Sequence, residues 1–432
     1  MRDTNKPLFS RPMLAVIMLF SSLAIWLLNL TAPSANLPQT SIQEWSTKSN
    51  IPVIWLNQKD WQGSDKLEIR FSFRAANTNT KLIQSTMAML MSDALPLSTA
   101  SINQRLSPLA ASAMTYYDHE NQVIGLTISN DPNYLIPALK LAKTWLTETK
   151  FKTRTYTNWL DRDPYQHEPL HELEQVLFVK PSTLPQEQFS LSEVKNYYQN
   201  MTQSVSAIYL TGDLSDRSKA LVEAALNAIT ENFSPNTMEN DIQITSVSTV
   251  IQRHHGELWQ TRSAVALTPL SNVTQWLSLQ IWGADLVNKL NNEEKINFVQ
   301  LNLTLAPQHP WVGWNVQYHL NDTLDARTPS TGAPQLSLKS FVFAEQIPSS
   351  NDKDGFNALR EQLLQQIEQN AQSPTWWAQI ASQVSHQNTE LTLEKFANNY
   401  REAVDNFNFQ AYQEALKELF NAQTYQEIQV YQ

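Results

Sequence analysis

The string His167-Glu168-Pro169-Leu170-His171 has the residue types and spacing of a zinc site. In a helical H-E-x-x-H motif two imidazoles one turn apart hold the ion, and the glutamate between them takes a proton from bound water. His167 and His171 are thus candidate ligands and Glu168 a candidate base, with Glu172 and Glu174 following. Pro169 argues against the site. Proline belongs in the first turn of a helix, so a helix starting near Glu168 leaves His167 outside it and the two rings off a common face. Arg253-His254-His255-Gly256-Glu257 supplies two further imidazoles, but no third ligand at a defined spacing. Asp118-His119-Glu120 brings acid, base and acid together, yet neighbouring residues in a turn before a strand point different ways, so a solvated turn is expected. Trp376-Trp377, beside Pro374, is either a partner-facing platform or packing of an insertion against the second core, and packing is the expectation. No G-x-S-x-G, phosphate loop or dinucleotide fingerprint is present, and 8 glycines in 432 residues leave little room for one.

These candidates must be positioned by local elements. Ile51 to Leu56 and Lys66 to Arg74 read as a hairpin-like pair of strands, the second alternating apolar and polar side chains with period two. Lys81 to Met91 predicts a largely buried helix, Ser101 to Leu109 a short one, Gln122 to Ser129 a strand and Pro132 to Thr149 an amphipathic helix. Helix, strand and helix follow over Ser190 to Asn200, Val205 to Thr211 and Asp216 to Ile229. A polar stretch over 236–249 reads as a linker. A second cycle then runs through strand Ser263 to Thr268, helix Val273 to Leu290, strands Phe298 to Leu305 and Val312 to Tyr318, helices at Asp354 to Asn370, Leu393 to Asn406 and Phe409 to Leu419, and strand Glu427 to Tyr431. The shared element order suggests an internal structural repeat.

Composition narrows the function. A net charge of −10, with no Lys/Arg cluster beyond the N-terminus, excludes a nucleic-acid partner, because phosphate binding needs a concentrated positive field. The absence of Cys removes disulfides, thiolate metal sites and thiol nucleophiles. Arg2, Lys6 and Arg11 precede the uncharged run Met13 to Leu30, which fits a membrane anchor or a signal peptide cleaved near Ala32 to Ala35. Either exports the body, and the anchor is the expectation, with 1–12 as cytoplasmic flank, 13–30 as span and 31–41 as tether.

Three strings then carry a family resemblance: IQEWSTKSNIPVIWL through FSFRAAN, SINQRLSPLAASAMTYYDHENQVIGLTI, and FSLSEVKNYYQNMTQSVSAIYLTGDL. Together with the element order over residues 42 to 432, they resemble the pitrilysin/insulinase metallopeptidases, in particular processing-peptidase-like members. Members of that family carry H-x-x-E-H on the first long helix. Here the resemblance sets Ser85, Ala88 and Met89 at the His, Glu and His positions. None of these supplies an imidazole or a carboxylate, and a lone thioether is a poor zinc donor. The resemblance likewise puts Asn291 and Phe298 where the family has a substrate-binding Arg and Tyr, and it makes 161–178 a structural helix after a loop.

The resemblance therefore implies an α/β (α+β) fold of two related half-domains, 42–235 and 250–432, each a mostly antiparallel sheet covered by helices. It implies a non-catalytic homologue without bound zinc or other cofactor: the chamber-forming partner of an active metallopeptidase of the family, in the periplasm of the cell envelope. The alternatives are a peptide-binding scaffold working without a protease, and a zincin using His167, Glu168 and His171.

Overall fold

A computed structural model describes residues 37–75, 79–162, 169–178, 189–237, 242–253, 259–319, 352–383 and 390–431. In chain order its elements are β1 (Thr40–Ser46), β2 (Pro52–Gln58), β3 (Lys66–Phe73), α1 (Thr80–Ser92), α2 (Ile102–Leu106), β4 (Ser112–Tyr117), β5 (Gln122–Ser129), α3 (Pro132–Thr147), α4 (Thr153–Arg162), α5 (Pro169–Leu177), α6 (Leu191–Thr202), β6 (Val205–Gly212) and α7 (Asp216–Ile229). The second half continues with β7 (Thr249–Arg253), β8 (Gln260–Ala266), α8 (Val273–Asn291), β9 (Ile296–Thr304), β10 (Trp311–Tyr318), α9 (Lys353–Asn370), α10 (Pro374–Gln383), α11 (Leu393–Asn406), α12 (Phe409–Leu419) and β11 (Gln426–Val430). The proposed anchor, Met13 to Leu30, lies outside the described residues; among those described, no helix is long and apolar enough to cross a membrane.

The first sheet has the order β1-β2-β6-β3-β5-β4 and the second β7-β11-β8-β10-β9. Setting β1 aside as an added edge strand, the two orders are one topology repeated. In each, the last strand of its half inserts between the first two, pairing parallel with one and antiparallel with the other. This corrects the expected hairpin of β2 with β3: β6 lies between them, and β2 instead turns back on β1. Gly212 closes β6 at φ 138°, where a Cβ would stand 2.5 Å from the Lys66 carbonyl oxygen, so this position needs glycine.

Alternation on β3 sends Leu67, Ile69, Phe71 and Phe73 into the first core and Glu68, Arg70 and Ser72 to the opposite face. That polar face is buried as well, because α10, from the second half, lies on β3 and β6. The exchange is reciprocal. Helix α5, from the first half, packs Leu173 and Leu177 against Ala264, Ala266, Trp311, Ile428 and Val430 of the second sheet. One of the helices between the last two strands of each half thus lies on the sheet of the other, and residues Pro38–Gln432 form one compact unit.

The Trp376-Trp377 pair sits within this exchange. The expected packing is met by second-half side chains, Trp377 being fully buried against Phe396 and Tyr400 and Trp376 set edge-on to Trp276 of α8, while the helix that carries the pair also lies on the first sheet.

Candidate functional site

Helix α1 begins at Asn79, whose side chain accepts the Leu82 amide, and buries Leu82, Ile83, Met87, Met89 and Leu90. Ser85 and Met89 are both buried, at 0% and 1% exposure, so two of the three positions matched to zinc ligands face inward. Ala88 is the one that reaches a pocket, of about 830 Å³, walled by Ser92, Asp93, Thr99, Lys152, Arg154, Thr155, Asn158 and Trp159. A hydroxyl, a methyl and a thioether do not fit a zinc ion. Lys152 is held at the pocket by the carbonyls of Asp93 and Ser98 and lies 3.5 Å from the Asp93 carboxylate. Asn291 is exposed at the end of α8, and Phe298 on β9 is 51% exposed.

The H-E-x-x-H string is split by the start of α5 at Pro169. His167 and Glu168 lie outside the described residues, and of His171 only the backbone is described. The acids that follow it are engaged elsewhere: Glu172 accepts from Arg262 at 2.7 Å, and Glu174 Oε1 is 3.3 Å from His119 Nδ1. His254 and His255 are outside the described residues.

Asp118-His119-Glu120 is not a solvated turn. The turn joins β4 to β5 and is held by Asp118 Oδ1, which accepts the amides of Glu120 and Asn121 at 2.8 and 2.6 Å. Its three side chains do point different ways, but each meets protein. Asp118 folds back on its own turn. His119 stacks on Phe178, with centroids 3.8 Å apart, and reaches Glu174 of α5. Glu120, fully buried, crosses to the loop between β9 and β10, where Oε2 accepts the Gln308 and His309 amides at 3.0 and 3.1 Å and lies 3.5 Å from His309 Nδ1. Its Oε1 is 3.2 Å from an Arg74 guanidinium nitrogen.

The electrostatics follow from this placement. Burial alone would raise the Glu120 pKa, but His309, Arg74 and the Gln308 amide hold its carboxyl below the usual range. Burial opposes charge on His119, yet Glu174, with Asp118 and Glu120 behind it, more than compensates and lifts its pKa above the ordinary imidazole value. Desolvation raises Asp118, against the pull of His119 and the turn amides. Among the described residues, one group has the donors for a metal ion: His119, Glu120 and His309, whose ligand atoms all lie within 4.8 Å of one another. His309 and the juxtaposition were missed in the sequence, because His309 stands 189 positions from Glu120 and no local pattern links them.

No family model and no curated protein matches this chain. Solved structures do. A protease from Helicobacter pylori aligns with 92% of this chain and 100% of its own at 9% identity and a TM-score of 0.66. The peptidase M16 inactive domain from Pseudomonas fluorescens aligns with 90% of this chain and 98% of its own at 16% identity and a TM-score of 0.62. The periplasmic protease PqqL from Escherichia coli gives a TM-score of 0.61 at 10% identity over 92% of this chain, which spans 48% of that protein. At these identities the likeness is one of fold. The chain has the fold of M16-type peptidase domains, which bears out in architecture the resemblance drawn from its sequence.

Proposed function

We propose that this chain is a non-catalytic homologue of the M16-type zinc metallopeptidases, a chamber-forming subunit that pairs with an active peptidase of the same fold in the cell envelope. The observation that carries the reading is helix α1. At the positions matched to ligand, base and ligand it holds Ser85, Ala88 and Met89, and the first and last of these are buried. A chain that keeps the peptidase architecture without donors on this helix keeps what pairing needs and lacks what hydrolysis needs.

Support for pairing comes from PqqL, of which this chain matches about half: that protein carries further sequence beyond one unit of this size, as an active chain and its partner together would. PqqL is a periplasmic protease, which supports the envelope location. Asn291 and Phe298, in place of Arg and Tyr, remove the charged fork and the phenolic hydroxyl, so a structural contribution outranks an assisting catalytic one. The test is affinity purification of the tagged full-length chain from native membranes. Recovery of a stoichiometric partner carrying H-x-x-E-H is expected; a clean homo-oligomer overturns the pairing.

A second reading, a peptide-holding scaffold without a protease, is favoured by the pocket beside Ala88, where Arg154, Lys152 and Trp159 offer cationic and aromatic contacts to an extended peptide. Peptide binding by the purified chain that chelators leave unchanged, with no peptidase partner recovered, would favour it over the first.

A further inference from the structure

The two sheets share one strand order, so the β4–β5 turn and the β9–β10 turn are equivalent loops of the two halves. These two loops meet. One brings His119 and Glu120, the other His309, and a ring nitrogen of each histidine and a carboxylate oxygen of Glu120 lie within 4.8 Å of one another. The donors of a zinc-like ion, bound at about 2.0–2.2 Å, sit roughly 3.4 Å apart on a tetrahedron, so side-chain rotation has at most about 1.4 Å to close.

Two independent observations point to a ligand at this place. The Nε2 atom of His119 is buried and has no hydrogen-bond partner among the described residues, although the side chain is only 8% exposed. Such an orphaned nitrogen is destabilising unless something occupies it. The ring is also held as metal-binding imidazoles are held: stacked on Phe178, with Nδ1 facing the Glu174 carboxylate, which leaves the other nitrogen to an ion. In addition, Glu120 is fully buried, with Oε1 3.2 Å from an Arg74 guanidinium nitrogen. Arg74 stays at Oε1 of Glu120 and so leaves Oε2 directed at His309.

We propose that His119, Glu120 and His309 bind a divalent transition-metal ion of the zinc type, with Glu174 orienting His119, as a clasp between the equivalent turns of the two halves. This site is separate from helix α1, and it departs from the expectation that the chain carries no metal.

The test uses the full-length chain, stripped with EDTA and dialysed, then titrated with Zn²⁺ and with Co²⁺. Uptake of one Zn²⁺ per chain, a rise in Tm on adding it, and visible Co²⁺ absorption of the tetrahedral type are expected. H119Q and H309Q should abolish the uptake, E174Q should weaken it by about 10–100-fold, and the double variants H167A/H171A and H254A/H255A should leave it unchanged. Wild-type protein that takes up no Zn²⁺ overturns the proposal, and so does uptake that persists in both H119Q and H309Q or vanishes in H167A/H171A or H254A/H255A. Should a ligand variant fail to fold by circular dichroism, the wild-type stoichiometry and E174Q, which touches no ligand bond, still decide.

Discussion

Thr375 of α10 donates a 2.7 Å hydrogen bond to Glu68 of β3, across 307 positions of sequence and between the two halves of the chain. Glu68 is fully buried, and its other oxygen is held by Arg70 at 2.7 Å and Thr127 at 2.8 Å. Removing the Thr375 hydroxyl leaves Oε1 with the Lys66 ammonium at 3.7 Å. Hydrogen bonds to charged groups are worth about 1.5–3 kcal/mol, so T375V should lower stability by that amount in urea unfolding. T127V should cost less, since Arg70 still covers Oε2. A T375V variant within about 0.5 kcal/mol of wild type would show that the exchanged helix does not depend on this bond.

The adjacent tryptophans make a sharper comparison. Trp377 is buried between Phe396 and Tyr400 and donates its indole N–H to the Ala371 carbonyl at 3.0 Å, whereas Trp376 is only partly buried. W377A should therefore cost about 3–5 kcal/mol and W376A clearly less. Equal losses by thermal denaturation would contradict the orientation of α10.

Much of the fold was legible because it is written locally. Leu- and Met-rich spacing marked α1, alternation marked β3 and β5, and the Gly212-Asp213 step marked the end of β6. What stayed hidden is set by partners far along the chain. Alternation on β3 showed that Glu68 and Arg70 share a face, but not that a helix from the other half buries it. The insertion of β6 between β2 and β3 leaves no local trace, since either strand shows the same pattern with any neighbour. At Asp118-His119-Glu120 the divergence of the side chains was read correctly; the surroundings were not, because Arg74, Glu174 and His309 arrive from three other segments.

The geometry of α1 predicts that the zinc motif cannot simply be restored. Ala88 lines the pocket, so A88E should be tolerated within about 0.5 kcal/mol. Met89 is 1% exposed and packed in the first core, so M89H replaces an apolar side chain with an imidazole that must find a hydrogen bond there. It should cost about 2–5 kcal/mol, as for other losses of a buried methionine. The combined S85H/A88E/M89H variant should show a lowered Tm and no gain of peptidase activity on a fluorogenic peptide; restored hydrolysis would sink the assignment of a structural role to this helix.

Helix α6 carries a pH-dependent cap. Ser190 Oγ accepts the Glu193 amide, and the Glu193 carboxylate accepts both the Ser190 amide, at 2.6 Å, and its hydroxyl, at 2.7 Å. The Ser190 hydroxyl and then its amide lower the Glu193 pKa. A folded-state value below the unfolded one means that the stabilisation is present above the unfolded carboxylate pKa and is lost as pH falls through the folded value. E193Q should thus be less stable than wild type near neutrality, and the gap should shrink in acid, while S190A should cost about 1 kcal/mol through the lost cap. Urea midpoints of wild type and both variants, taken at neutral pH and again below the ordinary glutamate range, check this; a gap that widens in acid would reverse the sign assigned to the cap.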